Sequence, residues 1–162
     1  PRATTLPLAS AARPAESGAA AQPVAEATAS VAPAAEPAPT TVVSPKSDGS
    51  HFSVWMQSTG TAKVGQQAQV EVVLVAKGDF HCNDNYPYKL KLDAPPAGVT
   101  YPQPIVRREA MSLSPTRASM RVPFVASSPG EARISGKFHF SVCTAAQCVM
   151  DSRELAVTVR VE

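Results

Sequence analysis

Apolar and polar residues alternate with period two from about residue 51 to the end of the chain, which predicts strands. AQVEVVLVA (Ala68 to Ala76) is rich in β-branched residues and reads as a central strand. YKLKLDA sets Tyr88, Leu90 and Leu92 on one face and Lys89 and Lys91 on the other. ASMRVPFVA opposes Met120, Val122 and Phe124 to Arg121 and Pro123, and the proline predicts an edge strand or a bulge. EARISGKFHFSVC places Phe138, Phe140 and Val142 against Lys137, His139, Ser141 and Cys143. ELAVTVRVE places Leu155, Val157, Val159 and Val161 against Ala156, Thr158 and Arg160, and HFSVWMQ reads as the first strand. Turn-rich stretches such as STGTAKVGQQ, KGDFHCNDNYP, APPAGV and SSPGEA separate these runs, and no run of helical period reaches ten residues. About seven short strands at this spacing predict an all-β fold, an antiparallel β-sandwich of immunoglobulin type. The single tryptophan, Trp55, comes early and the cysteines do not follow the antibody Cys…Trp…Cys order, so the expected likeness is one of architecture.

Composition divides the chain. Before Gly49 there is no aromatic residue, and half of the sixteen prolines precede Ser50. A stretch such as AESGAAAQPVAEATASVAPAAEPAPTT buries too little apolar surface to offset the entropy of ordering it. Pro23, Pro33, Pro37 and Pro39 break its alanine runs. Residues 1–50 are therefore expected to be a disordered Ala/Pro-rich tether, or a cloning or processing remnant, and residues 51–162 one domain, at about 110 residues enough for a single core. The chain opens on Pro1 rather than Met, so an upstream piece is expected to have been removed. A lipid anchor or membrane helix upstream of residue 1 would suit such a tether, and the expected location is periplasmic or exported. No apolar run approaches the ~20 residues of a membrane helix.

The net charge of +2 is small. Lys89, Lys91, Arg107, Arg108, Arg117, Arg121, Arg133, Arg153 and Arg160 are scattered, several on alternate strand positions, as on a solvated sheet face. No basic cluster carries interleaved aromatics, so nucleic acid is not the expected partner. Ser114, Ser119 and Ser141 lack a G-x-S-x-G context, and no phosphate loop or carboxylate pair stands out. Neither a small-molecule substrate nor a cofactor is called for.

The chemistry worth testing lies in KFHFSVCTAAQCVMDSRELAVTVRV, where TAAQ separates Cys143 from Cys148. If the two flanking strands pair, TAAQ is the loop and the cysteines face each other across its mouth. Opposed residues stand ~4.5–5.5 Å apart at Cα, within reach of a disulfide. By alternation Cys143 points away from the apolar face, which predicts that it is accessible. Three readings compete. As a staple, the bond closes so short a loop that chain entropy assigns it only ~2–3 kcal/mol. As a zinc site, the pair has only Cys82, His81 and His139 to call on, and none has metal-ligand spacing, so no metal is expected. As an exchange centre, a short-loop accessible disulfide is of the readily reduced kind.

ISGKFHFSVCTAAQCVMDSRELAVTV resembles the C-terminal hairpin of the N-terminal periplasmic domain of DsbD, the thiol:disulfide interchange protein family. KGDFHCNDNYPYKLKLDAPPAGVTYPQP is similar to a second stretch of that domain, with its His-x-Asn-x-x-Tyr-Pro run, lysine-rich strand and P-x-G-V turn. The resemblance covers about residues 51–162, and it implies an immunoglobulin-like sandwich whose cysteine pair takes electrons from a thioredoxin-like domain and hands them to other periplasmic proteins. By that resemblance Cys143 and Cys148 are the exchanging pair. The family's pair is spaced one residue wider and followed by aromatic-proline residues, where this chain has CVMDS. The family also implies a loop capping the pair, which makes Phe80, His81, Cys82, Asn83, Asp84 and Tyr86 candidates to shield or tune it. Turn formation alone also accounts for the Asp, Asn and Pro residues there.

Cys82 is the odd thiol: a buried apolar residue, a free thiol, or a partner for Cys143 or Cys148. His139, on the same side of its strand as Cys143, is a candidate to lower a thiolate pKa, or a solvated surface residue. The function expected is thiol–disulfide exchange with a thioredoxin-like or other envelope protein. The alternative is a non-catalytic interaction or assembly domain of an envelope complex with the disulfide as staple.

Overall fold

The structure, a computed structural model, describes residues 41–162. Most of the expected tether lies outside the described residues. Two antiparallel sheets pack into a sandwich built from eleven strands, five of them only two or three residues long. The first sheet takes β1 (Ser47–Asp48), β2 (Phe52–Ser58), β3 (Gln67–Ala76), β6 (Val99–Thr100), β8 (Met111–Leu113) and β9 (Arg117–Ala126), in the order β1-β2-β3-β9-β6 with β8 also on β9. The second takes β4 (His81–Cys82), β5 (Lys89–Leu92), β7 (Ile105–Arg107), β10 (Gly130–Cys143) and β11 (Cys148–Val161), in the order β11-β10-β5-β7 with β4 also on β10. Among the described residues no helix is long and apolar enough to cross a membrane.

The alternation read from the sequence becomes the two inner faces. Val54 and Met56 of β2, Val72 and Leu74 of β3, and Met120 and Phe124 of β9 meet Leu90, Ile134, Phe138, Phe140, Val157 and Val159 in one core. A buried aliphatic or aromatic side chain contributes roughly 1.5–3 kcal/mol by leaving water, so this face sets the strand register. Phe140 stacks on Phe138 at 5.5 Å and meets Phe52 edge-on at 4.7 Å, which ties the two sheets together near one end of the sandwich. Trp55 lies outside this cluster, with the Lys46 ammonium 4.6 Å from its ring.

Two details depart from the sequence expectation. Pairing starts before residue 51: Val43 bridges Gln57, the Ser44 N–H donates to the Met56 carbonyl, and β1 pairs with β2. The domain boundary therefore falls within the segment expected to be tether. Secondly, β9 is an interior strand, yet Pro123 sits where β8 has ended at Met120 and β6 has not begun at Val125. The missing amide falls in that locally open stretch of the strand, as proline requires. As expected of the strands flanking TAAQ, β11 starts at Cys148 and pairs with β10 through fourteen register pairs ending at Cys143↔Cys148. Gly136 lets β5 come close to this hairpin, since a Cβ there would stand 2.6 Å from the Lys91 carbonyl oxygen.

Candidate functional site

The turn joining β10 to β11 is built by Thr144. Its N–H donates to the Gln147 carbonyl at 2.7 Å, and its hydroxyl accepts from the N–H groups of Ala146 and Gln147, both at 3.2 Å. Hydroxyl-to-backbone bonding of this kind closes a tight turn from local chemistry alone. It leaves Cys143 and Cys148 directly opposed with Cα atoms 4.0 Å apart, and the two sulfurs are bonded.

The two sulfurs are not equally placed. Cys143 does lie on the outer face, as alternation predicts, but it is 5% exposed, whereas Cys148 is exposed. The accessibility expected of Cys143 is thus corrected. β4 occupies the other flank of β10 and pairs His81 with Cys143. The chain following β4 is then held beside Ser141, which is fully buried. The Ser141 carbonyl accepts from the Asn83 N–H at 3.1 Å and from the Tyr88 hydroxyl at 3.0 Å. Its hydroxyl accepts from the Asn83 side-chain amide at 3.3 Å and lies 4.0 Å from the Cys143 sulfur. Asn85 closes the local turn by donating its N–H to the Asn83 side-chain oxygen at 3.0 Å.

The candidate loop residues therefore divide. His81 and Asn83 come beside the disulfide strand. Phe80 turns away and stacks on His51 at 4.1 Å, while Tyr86 meets Tyr88 edge-on at 5.3 Å. Asp84 is exposed and accepts from the Asn85 side chain. His139 stands four positions up β10, opposite Lys89 and Ser152. Burial, then the charges of Lys89, Lys137 and Lys91, hold its pKa below the usual histidine value, so it is neutral at neutral pH. Among the described residues no group of three His, Cys, Asp or Glu side chains comes together. Ser141, Tyr88 and Thr144 were not singled out from the sequence as site residues. Ser141 shares the face of Cys143 by simple alternation, which was the signal available for it.

Cys82 is a free, buried thiol opposite Val142, on the inner side of the sheet and apart from the bonded pair. Burial pushes its pKa up to about 11. Because the folded value lies above that of an open thiol, its contribution to stability is complete below about pH 8.5 and is lost as pH rises towards 11. Urea midpoints measured from pH 8 to 11 should fall more steeply in the wild type than in Cys82→Ala. Parallel curves would place the Cys82 sulfur in water.

No family model and no curated protein matches this chain. Among solved structures, the crystal structure of AggA, the major subunit of aggregative adherence fimbriae type I from Escherichia coli, matches at 9% identity with a TM-score of 0.33. The match covers 76% of this chain and 96% of that one. A likeness of that degree carries no functional inference. What the site offers is its own geometry: one disulfide at a hairpin mouth, with one sulfur sheltered and one open.

Proposed function

We propose that this domain is a thiol–disulfide exchange module of an oxidising, extracytoplasmic compartment, as the resemblance to the DsbD N-terminal domain implies. The observation that supports it is the unequal burial of the two sulfurs. A partner thiolate attacks the exposed Cys148 sulfur, the S–S bond breaks, and Cys143 leaves as a thiolate. The Ser141 hydroxyl, 4.0 Å away, is placed to donate to it. A second partner thiolate then attacks the partner's sulfur of the mixed disulfide and releases Cys148. The partner ends as a disulfide and this domain as a dithiol, so two electrons have moved. In the reverse direction the Cys143 thiolate attacks Cys148 and expels the partner. Support also comes from redundancy: fourteen register pairs already align the hairpin, so a bond across its last pair does little for the fold.

A second reading is favoured by a different feature. β11 ends its sheet; among the described residues its one backbone bridge on the outer side is Ala62 to Val161, and Val42–Pro45 lie beside Glu154–Thr158 without a bridge to them. An open strand edge of this length is a template for pairing with another chain, which is what a non-catalytic assembly domain would use. The reduction potential separates the two. Exchange predicts a value of roughly −120 to −270 mV, and a purely structural bond one below about −300 mV. Equilibration against glutathione and dithiothreitol buffers gives the number, and a value below that lower bound removes the exchange reading.

A further inference from the structure

The basic residues that look scattered in the sequence converge on the outer face of the second sheet, the same face that carries the disulfide. Lys89 and Arg107 are direct register partners, as are Lys137 and Lys91, and His139 opposes Lys89. All four of these lysines and arginines are exposed, and among the described residues none of them forms an ion pair. Like charges directly opposed across a sheet weaken it, so two such pairs side by side work against the fold. Glu154, the register partner of Lys137, sits at one margin and Glu109 beyond the other. Burial first, and then the charges of Lys89, Lys137 and Lys91, hold the His139 pKa below its usual value.

We propose that this face docks an acidic protein surface, placing the partner's thiol at Cys148; the proposal rests on the exchange reading. His139 and Lys137 lie four and six residues along β10 from Cys143, about 13 to 20 Å at strand rise. A protein footprint of that reach covers both the cysteine and the lysines. The continuity of charge and disulfide on one strand face favours a protein over an anionic lipid surface, which would meet the charges without using the sulfur.

The test uses two cysteine peptides, one with a run of aspartates about four to six positions from its cysteine and one with lysines there, matching the reach in extended chain. Each is scored for the rate at which it opens the Cys143–Cys148 bond. At low salt the aspartate peptide should react about tenfold faster than the lysine peptide, and the gap should close near 0.5 M salt. Lys91→Glu/Lys137→Glu should reverse the order, and Lys89→Gln/Arg107→Gln, which changes no buried residue, should shrink the gap. Uncharged dithiothreitol reads the exchange step alone. If it opens the bond while the two peptides react equally at every salt, docking is wrong and exchange stands. If it does not open the bond, exchange is wrong, and docking is read from the anisotropy of a labelled, cysteine-free aspartate peptide. No binding there, or binding to phosphatidylglycerol vesicles in place of the peptide, overturns the proposal.

Discussion

In a Cys143→Ala variant, Cys148 is expected to form a mixed disulfide with glutathione at least about a hundredfold faster than Cys143 does in Cys148→Ala. The estimate follows from the local opening a sheltered group must undergo before it can react. Cys148 is exposed at the hairpin turn, while Cys143 is 5% exposed and flanked by His81. Both variants retain the Thr144 turn and the remaining register pairs, so both should fold. Mass spectrometry over time gives the two rates. Equal rates would mean that β4 and the chain after it do not shelter Cys143, and the assignment of the attacked sulfur would fall.

Phe140→Ala is expected to be the most damaging single change in the core, at about 3–5 kcal/mol. Phe140 is fully buried, packs on Phe138 and contacts Phe52 across the sandwich. Removing it empties a ring-sized space between the sheets, and a domain of this size is stable by only about 5–15 kcal/mol. The urea midpoint should drop at unchanged slope. A loss under about 1 kcal/mol would show that the neighbours close the gap and that the two sheets are not joined through this ring.

The longer strands other than β2 were legible because each buries mainly one face, which writes itself into the sequence with period two, whereas β2 is buried at nearly every position and shows no such alternation. Leu90, Phe138, Phe140, Val157 and Val159 all fall on the predicted inner side. The five short strands were not legible: two or three residues such as His81–Cys82 or Val99–Thr100 are too few to show a period. Their pairing is set by β10 and β9, which lie elsewhere in the chain. The opposition of Cys143 and Cys148 could be read from loop length alone. The shelter over Cys143 could not, because it comes from β4 and from Asn83 and Tyr88, about sixty residues upstream, bonding to Ser141. For the same reason the basic residues looked dispersed. Lys89, Arg107 and Lys137 come together only through the order β10-β5-β7.

β10 pairs with β11 on one side and with both β4 and β5 on the other. Sliding any of these neighbours along it by one residue would turn that neighbour's core side chains out to solvent, and a slip of β11 would also exchange Cys143 for Val142 as the residue facing Cys148. The hydrophobic core thus acts as the proofreader of the cysteine site: a molecule that has folded with its greasy side inward has, by the same step, aligned its sulfurs and gathered its positive charges. A copy with β11 out of register would lose its core packing and the opposition of its cysteines together.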